Sequence, residues 1–112
     1  MKLKDLEPHE RLALAGLVRA MTRQDGVVSA EEATAVTMLA NAVGAKEFWF
    51  AMNEAQLTLP DPGDVSKAAE TVTRPDVRQW IYGWLEDLAG ADEVVVAEEA
   101  LLRWLHQLWE LD

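Results

Sequence analysis

The amino-acid sequence predicts an all-α protein, and three observations lead to that prediction. Apolar residues recur every three or four positions through most of the chain, which is the spacing of one face of an α-helix. Proline, glycine and capping residues divide these segments into helix-sized lengths. An acidic pattern also occurs twice, as DGVVSAEE over 25–32 and DEVVVAEE over 92–99. Together these observations predict a compact bundle of about six helices, built from two pseudo-repeated helix-loop-helix halves.

The first half of the chain is predicted to contain three helices. Pro8 suits the first turn of a helix over 8–23. The SAEE sequence has the spacing of a capping box at the start of a second helix over 30–43, and Gly44 allows a left-handed exit from it. The third helix, over 46–57, is rich in aromatic residues. These three helices would form the first half-unit.

A stiff breaker separates the halves. The sequence LPDPGD over 59–64 holds two prolines and a glycine, which must stop any helix. We therefore expect half-units of about 1–59 and 63–112. Because 112 residues suffice for one real core but not for a second domain beside it, the whole of 1–112 is predicted to be a single domain.

The second half is predicted to repeat the plan. Asp64 is expected to cap a short helix that reaches about Thr71. Thr73 is expected to cap a longer helix that ends near Gly90. A last helix, rich in leucine and tryptophan, is predicted to follow the second acidic loop and to continue to the end of the chain.

Composition and charge exclude several classes of protein. The chain has no cysteine, so disulfides and thiolate metal sites are excluded. Its formal net charge is −10, and six acids with no base lie from Glu86 to Glu99, which disfavours binding to nucleic acid. No run of 18 apolar residues occurs, so we predict no membrane insertion. A cytoplasmic protein is the expected class.

The sequence offers poor material for catalysis. His9 and His106 are far apart in the chain and are predicted to lie on polar helix faces. Neither Ser29 nor Ser66 has the sequence context of a nucleophile, and no glycine-rich phosphate loop is present. We therefore predict that the protein is not an enzyme.

The two acidic loops support two interpretations. The structural one is that Asp25 and its glycine form a turn while Glu32 caps the next helix, and that Glu99 complements a helix dipole. The functional one is a weak site for a hard divalent cation such as calcium, with Asp25 and Glu32, or Asp92 and Glu99, as ligands. The first and third positions of an EF-hand loop would not be carboxylates here, so neither loop is an EF-hand.

The same loops carry a family resemblance. The sequence AMTRQDGVVSAEE over 20–32 and its partner LAGADEVVVAEE over 88–99 resemble the two acidic signatures of the tellurite-resistance TerB-like family. The resemblance covers roughly residues 10–110, and the matched acids are the four named above. Glu93 stands at the glycine position of the second signature and Val96 at its hydroxyl position. These departures weaken the case for cation binding by the second loop.

What the resemblance implies is an all-helical bundle with a pseudo-twofold relation between its halves, and a non-enzymatic role. Members of the family serve in tellurite and stress-response systems and beside membrane complexes, and some are associated with divalent metal ions. For this chain it implies a protein-interaction or adaptor module, in a stress-response or membrane-adjacent complex. The alternative is a divalent-cation sensor or sequestering protein.

Exposed aromatic residues are the candidates for binding a partner protein. Three consecutive large side chains at 48–50 cannot all face one core, so we expect Trp49 or Phe50 to be partly exposed. On the last helix the leucines at 101, 105 and 108 form the core stripe, so we expect Trp109 to face elsewhere. An exposed aromatic at any of these three positions would anchor a partner or a second copy in a homodimer.

Overall fold

Six α-helices make up most of the structure, a computed structural model that describes residues 5–22, 30–59, 61–89 and 96–111. No β-strand occurs among these residues, so the predicted all-α fold is confirmed. The Cα radius of gyration is 12.7 Å, which is the size expected of one compact domain of this length. The helices are α1 (Pro8–Thr22), α2 (Ala30–Val43), α3 (Ala45–Thr58), α4 (Pro62–Glu70), α5 (Pro75–Ala89) and α6 (Val96–Leu108).

Proline decides where α4 and α5 begin. Helix α4 starts at Pro62 with Asp61 in the N-cap position, so Asp64 lies inside the first turn rather than capping the helix. Helix α5 starts directly after Arg74, so Thr73 lies one residue too early to cap it. Both capping predictions were wrong, because proline has no N–H to lose and its fixed backbone angle suits the first helical position.

Helix α1 is the central helix of the bundle, with contacts to α3, α4, α5 and α6. All six residues from Ala13 to Val18 are buried, so this stretch has no face in water. Close approach depends on small residues: a Cβ atom placed on Gly16 would lie 2.9 Å from Cδ1 of Leu59. Helix α1 is therefore enclosed by its neighbours on every side over this stretch.

All six helices contribute buried residues to the main core, and α1 and α5 contribute the most. Its aromatic centre is Phe48 of α3 against Trp84 of α5, with ring centroids 5.5 Å apart. A smaller cluster of alanines, Ala15, Ala51 and Ala55, joins α1 to α3. The largest fully buried side chains of the fold are Leu14, Leu17, Val18, Phe48, Val72, Ile81, Leu85, Leu88 and Leu105, together with Glu10.

Helix α6 ends before the chain does. Glu110 has a positive φ of 52°, its N–H donates to the carbonyl of Gln107 at 3.3 Å, and the N–H of Leu111 donates to the carbonyl of His106 at 3.1 Å. These two hydrogen bonds form a Schellman motif, which turns the chain away from the helix axis. The prediction of a helix that continues to the C-terminus was wrong for this reason.

Each acidic signature lies within one predicted half, the first between α1 and α2 and the second between α5 and α6. Residues 23–29 and 90–95 hold five of the eight residues of the first signature and four of the eight of the second, and they lie outside the described residues. The pseudo-repeat therefore stays a prediction from the sequence. None of the helices that the structure describes combines the length and apolar character needed to cross a membrane.

Candidate functional site

The three consecutive aromatic residues of α3 have three different environments. Phe48 is buried at 1% exposure, between Trp84 and the ring of Trp49, whose centroid lies 5.0 Å away. Trp49 is 47% exposed and Phe50 is 69% exposed. Each residue turns about 100° around the helix axis, so only one of three neighbours can face the core. The predicted exposure at Trp49 or Phe50 is confirmed, and a partner-binding role for them stays a prediction.

Exposed apolar side chains concentrate on α3. Of the four large apolar residues that are exposed in the described part of the chain, three lie on this helix, and the fourth is Met38 of α2. The three exposed apolar residues of α3 share one face of that helix with two polar residues, because these five positions fall within about 100° of the helix circumference. We call this face the α3 surface, and its residues are Lys46, Trp49, Phe50, Asn53 and Leu57.

A groove of about 520 Å³ lies between α1 and α3, directly beside the α3 surface. Leu12 of α1 and Ala51 of α3 contribute apolar lining, and the exposed ring of Phe50 stands at its edge. The groove exists because α1 and α3 pack through small residues and leave room where larger side chains would meet. It offers a concave apolar site next to the exposed ring of Phe50, which is a common arrangement for an anchor residue of a partner.

Three charged residues of α3 line the groove, and Arg11 lines it from α1. Lys46 and Glu54 both line it, and neither has an ion-pair partner among the described residues. Glu47 folds back toward the start of its own helix, where its carboxylate lies 2.9 Å from the position that a Cβ of Gly44 would take. The groove therefore has an unpaired positive charge near one end and an unpaired negative charge two turns further along.

The most deeply buried charged residue among those described is Glu10, which packs in the core away from the α3 surface. The side chain of Glu10 on α1 is 1% exposed and is held by Arg74, which precedes α5. Arg74 Nε donates to Glu10 Oε2 at 2.9 Å, and Arg74 Nη2 donates to Glu10 Oε1. The backbone N–H of Glu7 donates to the same carboxylate at 2.7 Å. Three donors therefore satisfy this carboxylate.

These hydrogen bonds decide the protonation state of Glu10. The Arg74 guanidinium holds the pKa of Glu10 below its ordinary value of 4.5, although burial alone would raise it. The same contact raises the pKa of Arg74, so both groups are charged at neutral pH. A carboxylate that is ionised and fully paired is a poor general acid or base, so we interpret this pair as a structural tie between α1 and α5.

Sequence reasoning missed the Glu10–Arg74 pair. The two residues are 64 positions apart, and an acid in the first turn of a helix is ordinarily explained by the helix dipole. A weak signal was available, because Glu10 stands on the same helical face as Leu14 and Leu17, both of which are buried. An acid on an apolar face calls for a buried cationic partner.

The predicted metal ligands are only partly described by the structure. Asp25 and Asp92 lie outside the described residues, as does the side chain of Glu32, although its backbone belongs to α2. Glu99 is exposed in the first turn of α6. No cluster of three or more acidic or histidine residues suited to a metal ion occurs in the part of the chain that is described. Cation binding by the acidic loops, to calcium or another divalent ion, stays a prediction.

The prediction for Trp109 was wrong. Its side chain is 2% exposed, and its indole Nε1 donates to the carbonyl of Ala69 at 2.9 Å. The expectation assigned the core stripe to the leucines alone, whereas Trp109 continues the buried face of Leu105. It lies four residues after Leu105, and its backbone N–H donates to the Leu105 carbonyl at 2.9 Å, before the chain turns at Glu110. Trp109 therefore packs against the end of α4 and is not available as a partner anchor.

The chain matches no protein-family model, and searches of curated proteins and of solved structures find no similar protein. The arrangement of its own residues is therefore the basis for any assignment of function.

Proposed function

We propose that this protein is a non-enzymatic interaction module of the TerB-like type, an adaptor that binds another protein through the α3 surface. The observation that carries this proposal is the pair of neighbouring exposed aromatic rings, Trp49 and Phe50, beside an apolar groove. Tryptophan is enriched among residues that dominate binding energies, and exposed aromatics that border a groove are typical of protein interfaces.

Several features of the α3 surface support this proposal. Its apolar residues lie on one face of α3, since Phe50 and Leu57 are two turns apart along that face with Asn53 between them. Leu57 is 71% exposed, so it contributes little to the core of the folded chain. The net charge of −10 disfavours nucleic acid as the partner. A role in tellurite or stress response follows from the family resemblance alone and belongs to this proposal.

The test of this function is site-specific photo-crosslinking in the cells that produce the protein. A photoreactive phenylalanine analogue replaces Asn53 at the centre of the α3 surface, and the control carries it at Glu70, an exposed residue of α4. We expect a discrete adduct from position 53 that is absent from position 70, and we expect Phe50→Ala to remove it. Equal labelling from both positions, or none from position 53, would contradict the proposal.

A further inference from the structure

Two oppositely charged residues of α3 are placed symmetrically about Phe50, one on the α3 surface and one at its border. Lys46 and Glu54 lie four residues before and four residues after it, so the three residues form one row along the helix. The two charges are about 12 Å apart along the helix axis, with the exposed ring midway between them. A row with a cation at one end, an anion at the other and an aromatic ring at its centre is complementary to its own copy in the antiparallel direction.

We propose that the α3 surface binds a second copy of this chain, with the two α3 helices antiparallel about a twofold axis at Phe50. In that arrangement Lys46 of each copy faces Glu54 of the other, because both lie at the same distance from the axis. The interface is isologous, so each contact between Lys46 and Glu54 occurs twice. This inference rests on the proposed function, since it names the partner of the same surface.

The geometry of α3 suits such a pairing. Residues four apart form the ridges by which two helices most commonly pack, and the row from Lys46 through Phe50 to Glu54 is one of these ridges. The groove of about 520 Å³ beside Phe50 gives space for the ring of the opposite copy. Lys46 and Glu54 line the same groove, so the charges lie next to that space. Asn53 and Leu57 lie on the same face and extend the contact along α3.

The available area predicts a weak dimer. Given their exposed fractions, Trp49, Phe50 and Leu57 present about 300 to 400 Å² of apolar surface per copy, if a fully exposed aromatic side chain presents about 150 to 250 Å². A stable interface buries about 800 Å² per partner, so this surface reaches roughly half of that. We expect a dissociation constant between about 10 µM and 1 mM, in the range of transient complexes.

Net charge opposes this association, and its effect is separable from that of the charge pairs. Each copy carries a formal charge of −10, so two copies repel each other at low ionic strength. At physiological salt the Debye length is about 8 Å, which screens the distant charges while the contacts between Lys46 and Glu54 remain short. Measurements therefore belong at about 150 mM salt, where screening is strong.

The experiment is sedimentation equilibrium of the purified protein up to about 1 mM, on the wild type and on the variants Lys46→Glu and Glu54→Lys. Each variant alone would place like charges opposite each other twice, and we expect the dissociation constant to rise at least tenfold. An equimolar mixture of the two variants would restore both opposite-charge contacts at the net charge of a wild-type dimer. We expect that mixture to associate within about threefold of the wild type.

Matched controls make the same changes of charge on another helix. Lys67→Glu and Glu70→Lys alter exposed residues of α4, and we expect the dissociation constant to remain that of the wild type. The Glu54→Lys variant is informative by itself, because it lowers the net negative charge and would strengthen association if repulsion alone governed it. Circular dichroism melts confirm that all variants are folded.

The outcomes separate this inference from the proposed function. A wild type that is monomeric at 1 mM, or a mixture of variants no tighter than either alone, overturns the antiparallel pairing. If the crosslink from position 53 then joins the chain to a different protein, the proposed function stands without it. A monomeric protein with no crosslink at position 53 overturns both, and a crosslinked adduct of two copies together with the restored mixture supports both.

Discussion

Helices α1 and α5 are a natural pair to compare, because both are 15 residues long and both begin at a proline. Pro8 and Pro75 are separated by 67 residues, as are Asp25 and Asp92 of the two acidic loops. The buried residues of α5 also match α1 at this offset: Val77, Ile81, Trp84 and Leu85 correspond to Glu10, Leu14, Leu17 and Val18, which are all buried. The two helices therefore share a length, a start and a core-facing stripe.

Their surroundings differ. Helix α5 buries one stripe and keeps Glu86 and Asp87 in water, whereas α1 is enclosed on all sides from Ala13 to Val18. The corresponding glycines show the same contrast, since a Cβ at Gly16 would press on Leu59 while a Cβ at Gly83 would meet nothing within 4 Å. A shared pattern of apolar residues thus sets which face is buried, and the number of neighbouring helices sets how much else is buried with it.

The largest effect is expected where α1 carries a charge and α5 carries a valine. Arg74→Met leaves the carboxylate of Glu10 buried without its cation, which should lower the free energy of unfolding, because a buried charge without its partner is more costly than the intact pair. The double variant Glu10→Met, Arg74→Met gives α1 an apolar residue as in α5, and should recover most of that loss. Urea denaturation at pH 7 measures both. Arg103→Met, at an exposed position of α6, serves as the control.

The comparison would break down at this position if the single and double variants were equally stable. Such a result would mean that the pair contributes only through the packing of its methylene groups. A loss below about 0.5 kcal/mol for Arg74→Met would mean that water replaces the guanidinium without difficulty, as it does at surface ion pairs.

The next effect concerns the two glycines. Gly16→Val should lower the free energy of unfolding by about 1 to 3 kcal/mol, because the added methyl groups must displace Leu59 and Val65 in a packed region. Gly83→Val is the matched control, and we expect a change within about 0.5 kcal/mol, as for surface substitutions. Thermal and urea unfolding measure both variants. A Gly16→Val protein as stable as its Gly83→Val counterpart would show that α1 is no more tightly enclosed than α5.

The pH dependence of the free energy of unfolding should also distinguish the wild type from the double variant, because only the wild type has the Glu10 carboxylate. The folded-state pKa of Glu10 lies below its ordinary value of 4.5, so its contribution to stability is present above pH 4.5 and is lost as pH falls through the folded-state pKa. The double variant lacks this group, and its stability should fall less steeply with pH below 4.5. Urea denaturation from pH 6 to pH 3 compares the slopes. Identical slopes would place the pKa of Glu10 at its unfolded-state value.

The smallest effect is a gain. Gly83→Ala should raise the free energy of unfolding by about 0.5 to 1 kcal/mol, because alanine favours the helix and the new Cβ meets no neighbour. Gly16→Ala has the same intrinsic advantage but must move the Leu59 methyl group, so its gain should be smaller or absent. The difference between the two alanine variants measures the packing around α1 directly.

Local sequence signals predicted the helices well, but they did not predict contacts between residues far apart in the chain. The helices over 8–23 and 30–43 were placed within one residue of their observed ends, because proline, glycine and capping residues act on the backbone nearby. Helical spacing does place Trp109 on the face of Leu105, four residues before it, but it does not reveal the carbonyl of α4 that accepts a hydrogen bond from the indole. The Glu10–Arg74 pair likewise joins residues that only the tertiary fold brings together.

The candidate site was half predictable for a related reason. That Trp49 or Phe50 must be exposed follows from three large residues in succession, and needs no knowledge of the fold. The groove beside them depends on how closely α1 approaches α3, which small residues such as Ala15 and Ala51 decide only after both helices have packed. The sequence alone does not show that Lys46 and Glu54 line the same groove, because that depends on the packing of α1 against α3.

The central position of α1 has a consequence for the order in which the chain is synthesised. Helix α1 leaves the ribosome well before α5 and α6, yet these later helices cover part of its surface. At about 5 to 20 residues per second, that surface stays without its final partners for roughly 4 to 20 seconds. During this interval the part of the apolar surface of α1 that α5 and α6 later cover is open to chaperones and to other nascent chains.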